Sequence, residues 1–327
     1  MKAMQISQTG GPEVLAYVEL ETPTPGAGQV LVRTESISIN FTDVLIRQGL
    51  HPMMPPLPTV PGFEASGVVE VLGDGVTQVE LGQRASFIGN GCYAEHVLVD
   101  AAALIPIPDT LDSDTAAAFP INYLTAYHMM HTMARLEEGQ TILSYAAVGG
   151  VGIAIIQLAK LAGLKVIGLT SSNEKAARAK ELGIHHIINY KSQNVVEEVR
   201  EFTQGQGVDL ILDSVAGPSF PNNFGMLAPL GQVIWYGEAG GPPPKNLLEP
   251  LMAHFGKGVG VRTFHLFQSI AEPFPQIMAE SIQTMIRYLE EKKVEPVIQD
   301  RIPLKDAAQA HKLLESQKTV GKLILKP

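Results

Sequence analysis

Ile142-Leu-Ser-Tyr-Ala-Ala-Val-Gly-Gly-Val-Gly152 is the stretch whose reading decides the fold. It opens as an apolar, β-prone run and closes in a cluster of small residues, and a helical pattern follows from Val151 to about Leu161. A strand that turns sharply into a helix leaves the first N–H groups of the helix without partners inside it. With the positive end of the helix dipole, those groups make a site for phosphate. Gly149 and Gly150 let the chain turn and let a pyrophosphate approach the backbone, and Gly152 lets the helix lie close to its strand. Ala147, Val148 and Val151 complete the candidate phosphate cradle.

The match to a dinucleotide fingerprint is imperfect, because Ala147 stands where the first glycine should be. Glycine clusters also make plain tight turns, so context decides. Lys165-Val-Ile-Gly-Leu-Thr170 reads as a second strand after the helix, giving the strand, glycine turn, helix and strand of a Rossmann unit. The alternation continues. Asn173 to Gly183 reads as a helix with Asn173 as N-cap and Gly183 as its stop, Ile184–Asn189 as a strand and Val195–Phe202 as a helix. Val208–Asp213 and Gln232–Tyr236 read as two more strands. Such regular alternation predicts an α/β fold with a doubly wound parallel sheet. Asp213 and Ser214 end a parallel strand, at the edge where such sheets bind ligands.

Residues 1 to 122 have a different texture. Val30 to Ile39 alternates as a half-buried strand does, Gly67–Leu72 reads as another strand, and Asn90-Gly91 between Phe87-Ile88 and Tyr93 is a hairpin signal. Prolines crowd residues 52 to 61 and predict an ordered loop. This part reads as a separate, barrel-like β unit. Helical character begins near Tyr123 and runs to Met133, and residues 123–264 form the α/β unit. After Phe264 come helices over 275–292 and 305–315 and a terminal strand Lys322–Leu325, so residues 265–327 are expected to return and complete the first unit.

Composition narrows the function. Of 327 residues, 45% are hydrophobic and 17% charged, as in a globular protein of two domains. A formal charge of −9 argues against nucleic acid as the main partner, which needs a basic surface. No segment has the length and uniform apolarity of a membrane span, and the first residues lack the apolar core of a signal peptide. The single cysteine, Cys92, excludes an intrachain disulfide and a cysteine-rich zinc site, and makes a reducing cytoplasm the expected compartment.

The layout resembles the medium-chain dehydrogenase/reductase superfamily, with a GroES-like catalytic domain and a Rossmann domain. More narrowly it is similar to the zinc-free quinone oxidoreductases, the NADPH:quinone reductase and ζ-crystallin group. Three segments carry the resemblance: Ala146-Ala-Val-Gly-Gly-Val-Gly152, Asn40-Phe-Thr-Asp-Val-Leu-Ile-Arg-Gln-Gly49 and Pro61-Gly-Phe-Glu-Ala-Ser-Gly-Val68. Zinc-dependent relatives have Cys at the position of Asn40 and His at that of Phe63, neither of which suits zinc here, and their four-cysteine lobe is absent. His128 and His131 share a predicted helical face but, without further ligands, read as surface or packing residues. No metal is expected.

An NAD site places an acid after the second strand, about twenty residues beyond the glycines. Here Leu169-Thr170-Ser171-Ser172 has none, and Lys175 follows. Taken alone, Lys175 is a solvated helix residue. Together with the missing acid and the Ser171 hydroxyl, it suits a 2′-phosphate and so NADPH. The resemblance also places Tyr190 against that phosphate, Asn40 and Thr125 beside the nicotinamide or substrate, and Gly237 and Phe264 in the nicotinamide pocket. Asp43 and Arg47 at i and i+4 are expected either to form a structural ion pair or to serve the site. Two positions depart from the family's pattern. Leu45 stands where many quinone reductases have Tyr, and His51 where another Tyr is usual. His51 is therefore either a proton donor or an idle loop histidine.

The resemblance implies an NADPH-dependent, zinc-independent reductase passing hydride to a quinone or similar small-molecule acceptor. The alternatives are reduction of the C=C bond of an enone, 2-alkenal or enoyl thioester, and a non-enzymatic, NADPH-binding ζ-crystallin-like role. A homodimer is implied by the family alone.

Overall fold

The computed structural model describes residues 1–327. The chain divides into two units, Met1–Ile121 with Ile286–Pro327, and Asn122–Met285.

The first unit opens with β1 (Lys2–Gln5) and β2 (Ala16–Glu19), an antiparallel pair. Then come β3 (Gln29–Ser38), α1 (Phe41–Gln48), β4 (Glu64–Leu72), β5 (Arg84–Ile88), β6 (His96–Asp100), β7 (Leu104–Pro106) and α2 (Ser113–Ala118). β3 is mostly buried rather than half-buried, because it pairs with both β4 and β6 and later with the returning chain. The hairpin expected at Asn90-Gly91 does not form. Gly91 does take the left-handed turn, with φ 77°. But β5 pairs with β4 and β7 while β6 pairs with β3, and Tyr93 N–H donates to Pro61 O at 2.9 Å. A local turn signal sets the bend, whereas the sheet chooses the partner. α1 starts at Asn40, whose backbone N–H donates to Asp43 Oδ2 at 2.8 Å, and stops at Gly49 with φ 75°. The Asp43–Arg47 ion pair is not made: Arg47 is fully buried and forms a bidentate pair with Glu315 at 2.7 and 3.0 Å.

The chain enters the second unit in α3 (Pro120–Tyr127), which continues as a π-helical segment over His128–Met133. The unit then runs through β8 (Thr141–Ser144), α4 (Gly150–Leu161), β9 (Lys165–Thr170), α5 (Asn173–Glu181), β10 (His186–Asn189) and α6 (Val195–Phe202). It closes with β11 (Val208–Asp213), α7 (Asn222–Met226), β12 (Leu227–Trp235), α8 (Leu248–Met252) and β13 (Gly260–Thr263). The strands make the expected parallel sheet, in the order β10-β9-β8-β11-β12-β13. The chain winds one way from β8 and the other way from β11, so the switch point lies where these two strands adjoin. Leu143, Ile167, Ile211 and Val233 are the centre of its core. Helix α5 is capped by Ser172, whose Oγ accepts from Lys175 N–H at 3.2 Å, and not by Asn173, which is already helical.

The return to the first unit comes within α9 (Pro275–Glu290), at residue 286 rather than at 265. One bond tying this stretch to the second unit is between His128 Nε2 and Ser281 Oγ, at 2.9 Å. β14 (Ile298–Pro303), α10 (Ala307–Glu315) and β15 (Lys322–Lys326) follow. β15 pairs antiparallel with β3, extending the first sheet to the order β14-β15-β3-β4-β5-β7. Leu323, Leu325, Ala307 and Ala310 thus join the same core as Val32 and Phe87. No helix is long and apolar enough to cross a membrane.

Candidate active site

The glycine turn of the second unit lies between β8 and α4. Gly152 has no room for a side chain: a Cβ there would stand 2.4 Å from Ala146 O and 2.6 Å from the Ala147 carbonyl carbon. The left-handed conformation falls on Ala146, with φ 47°. Gly149 is the N-cap of α4, and its N–H is engaged with Ala146 O at 2.8 Å. Ala147 N–H is likewise engaged, with Leu169 O at 3.1 Å. The amides aimed out of the helix are therefore those of Gly150, Val151 and Gly152, its first three residues, which no helical turn can satisfy. Ala147 and Val148 are buried and shape the turn through their backbone.

At the end of β9, Ser171 and Ser172 are half-buried and no acid occupies Leu169–Ser172. Lys175 lies in the first turn of α5, beside exposed Glu174. Burial holds its ammonium below the ordinary lysine range, and the positive charge of Lys191 adds to the effect, with Glu174 opposing. Lys191 is a second cation that the sequence reading missed; its neighbour Tyr190, 45% exposed, was its only signal. Lys175 with the positive charge of Lys191 acting on it, and no acid between Leu169 and Ser172, suits a dianion.

Asp213 is held within its own turn. It is fully buried, its Oδ1 accepts from Val215 and Ala216 N–H at 2.8 Å each, and its Oδ2 accepts from Asn223 Nδ2 at 2.8 Å. These bonds clamp the turn after β11. Asn223 in turn accepts from Tyr145 OH at 2.7 Å, tying that turn to the start of the glycine loop. Gly237 and Phe264 follow the C-terminal ends of β12 and β13. A Cβ on Gly237 would meet Ser214 O at 2.8 Å, and Phe264 N–H donates to Trp235 O at 3.0 Å. Thr125 is buried on α3. His128 and His131 are packing residues. Ser281 Oγ donates to Met278 O, so it accepts from His128 Nε2–H, while His128 Nδ1 pairs with Thr132 Oγ1 at 2.9 Å.

In the first unit, Asn40 is 8% exposed and sits in a buried polar cluster. Its Nδ2 donates to Glu64 Oε1 at 2.9 Å and its Oδ1 accepts from Lys322 Nζ at 2.7 Å. Lys322 opens the apolar run of β15, and only the antiparallel pairing of β15 with β3 brings it here. Behind this cluster Asp43 Oδ2 accepts from Tyr93 OH at 3.1 Å, and that hydroxyl is 3.0 Å from His311 Nε2. Burial pushes the Asp43 carboxyl up to about 7, against the hydrogen bond from Asn40 N–H and the charge of Lys322. Burial also pushes His311 down to about 3. His51 lies apart in the proline-rich loop. Its Nδ1 turns back on Met53, 3.2 Å from that residue's nitrogen, and its ring is 6.3 Å from that of Phe63. No group of three or more His, Cys, Asp or Glu side chains is placed to share a metal ion.

Residues 26–109 match the family described as the alcohol dehydrogenase GroES-like domain, and residues 150–283 that described as zinc-binding dehydrogenase. A quinone oxidoreductase of Pseudomonas aeruginosa is 35% identical, over 100% of this chain and 99% of its own. A 2-haloacrylate reductase of Burkholderia is 33% identical, over 99% and 98%. The crystal structure of an Escherichia coli quinone oxidoreductase complexed with NADPH superposes with a TM-score of 0.94 at 30% identity, covering 100% of both chains. The chain belongs to the medium-chain dehydrogenase/reductase superfamily, in its quinone oxidoreductase group.

Proposed function

We propose that this protein is an NADPH-dependent, zinc-independent reductase of quinones or similarly conjugated carbonyl compounds. The observation that carries the proposal is the cofactor cradle: a helix start with three free amides, a glycine that admits no Cβ, and Lys175 with Lys191 at a strand end without an acid. The residues fit NADPH, with Gly150, Val151 and Gly152 on the diphosphate and Ser171, Lys175, Lys191 and Tyr190 about the 2′-phosphate. Gly237, Phe264 and Thr125 border the nicotinamide in this reading. Residues 122–285 are then the dinucleotide-binding domain and the first unit the catalytic one.

When bound, NADPH supplies a hydride. The acceptor's π pair shifts onto oxygen as that hydride arrives, and the oxygen then takes a proton. Asn40 offers an N–H to this oxygen, and a delocalised hydroquinone anion asks for little more acid than water. Solvent supplies that proton directly or through His51, whose ring is 6.3 Å from that of Phe63. Zinc independence is supported by Asn40 and Phe63 standing in ligand positions, and by the Lys322 ammonium donating at 2.7 Å to Asn40 Oδ1, the one atom of that side chain that could ligate a metal. A second reading, C=C reduction, is favoured by the full-length similarity to the 2-haloacrylate reductase.

A homodimer is supported by β13, which lies at the edge of its sheet. It is supported also by exposed Leu230 (83%), Leu248 and Phe255 (76%) on the segments before it. The single buried cysteine suits the cytoplasm.

The test is NADPH oxidation with a quinone, an enone and 2-chloroacrylate, beside calorimetry with both nucleotides. We expect heat with NADPH, at least about tenfold weaker NADH binding, and a comparable loss of NADPH affinity in Lys175→Ala. No heat with either nucleotide would overturn the reading, and tight NADPH binding without turnover of any acceptor would leave the non-enzymatic role.

A further inference from the structure

The carboxamide of Asn40 is held one way round by the chemistry of its neighbours. An ammonium can only donate and a carboxylate can only accept, so Oδ1 must face Lys322 and Nδ2 must face Glu64. Lys322 Nζ uses all three of its donors, on Asn40 Oδ1 and Ile39 O at 2.7 Å each and on Glu64 Oε1 at 3.2 Å. Glu64 is equally occupied. Its Oε1 also accepts from Ser38 Oγ at 2.8 Å, and its Oε2 accepts from Ile121 N–H at 2.9 Å. The two charged side chains are 6% and 0% exposed. A buried ion pair costs desolvation and adds little net stability by itself. This one is arranged around one amide, and it leaves that amide a single N–H beyond those it binds.

We propose that Lys322 is a positioning residue for hydride transfer. It locks the Asn40 carboxamide as a hydrogen-bond donor toward the acceptor's carbonyl oxygen. The inference rests on the reductase reading and deepens it: the acceptor must carry a carbonyl oxygen conjugated to the carbon that takes the hydride. As the new C–H bond forms, the π pair moves to that oxygen, the Asn40 N–H meets the growing charge, and solvent later supplies the proton. A free carboxamide would present its own oxygen in some fraction of molecules and repel the acceptor's.

The test is a double-mutant cycle with Asn40→Ala and Lys322→Met, read as kcat/KM for a benzoquinone and an enone, with NADPH affinity measured by calorimetry. We expect each single change to lower kcat/KM about ten- to a hundredfold with NADPH affinity unchanged. The double variant should be no worse than Asn40→Ala alone. Losses that multiply, or a Lys322→Met enzyme with wild-type kcat/KM, would overturn the proposal. Because Lys322→Met strands the Glu64 charge, a Glu64→Gln/Lys322→Met protein is measured too. Its melting temperature should recover while kcat/KM stays low; recovery of both would make Lys322 merely structural and overturn the proposal. A wild-type protein that binds NADPH but reduces no acceptor would overturn the reductase reading and this inference with it, whereas multiplying losses in an active enzyme overturn the inference alone.

Discussion

At the scale of single residues, Gly152 lies against the backbone of Ala146 and Ala147, and Lys322 against Asn40 and Glu64. The role of Gly152 follows from its place after a strand, and the structure supplies the atom it must avoid, Ala146 O. Replacing a helical glycine by alanine usually stabilises by about 1 kcal/mol. Here the added methyl meets backbone that cannot turn aside, so the sign reverses. Gly152→Ala should destabilise the protein by about 1–3 kcal/mol and weaken NADPH binding, as read by thermal melting and calorimetry. The strain of the turn was not legible: the sequence points to Ala147 as the odd residue in the fingerprint, yet Ala146 takes the left-handed φ. Lys322 had no sequence signal beyond a cation at the head of Leu-Ile-Leu, because its partners Asn40 and Glu64 lie over 250 residues earlier.

Secondary elements were legible in kind, and less so in what they bind. The helix over Tyr123–Met133 exists, but its second half is π-helical and carries His128 into the packing with Ser281. Burial, with the charge of His131 adding, pushes His128 from its ordinary 6.5 down to about 4. The unfolded chain therefore takes a proton that the folded one refuses as pH falls from 6.5 to 4. The stability His128 contributes is whole above 6.5 and is lost across that window, at up to about 1.4 kcal/mol per pH unit. His311 acts in the same sense, but Asp43, raised to about 7, acts in the opposite one. Between about pH 4 and 6.5 the proton count of those two is the same folded and unfolded, and their slopes cancel. Urea titrations at stepped pH should thus show stability falling on acidification through this range, with a shallower fall in His128→Gln. The Asn90-Gly91 hairpin failed for a related reason. Its residues specify a bend, but β5 and β6 each find a better-placed strand elsewhere in the sheet.

For the whole molecule, the sequence pattern leads one to expect the return to the first unit from residue 265, and the structure groups Ile286–Pro327 with that unit. The texture of the sequence changes at Phe264, but packing holds the segment up to Met285 with the second unit. At this scale the proposed zinc independence can be tested. With the Lys322 ammonium against Asn40, the purified protein should carry far less than one zinc per chain by elemental analysis, and quinone reduction should survive EDTA unchanged. What the sequence by itself determined was everything that depends on neighbours along the chain. That includes the strand–glycine–helix turn, the parallel alternation, the missing acid after β9 and the absence of cysteine ligands. Only the tertiary structure decided which buried polar groups meet: Asn40 with Glu64 and Lys322, Tyr93 with Asp43 and His311, and Asp213 with its own turn. The physical reason is that backbone conformation is set by local sterics and periodicity. A buried charge, in contrast, needs a partner, and which partner it finds depends on the registers of β3, β4 and β15, which no local pattern encodes.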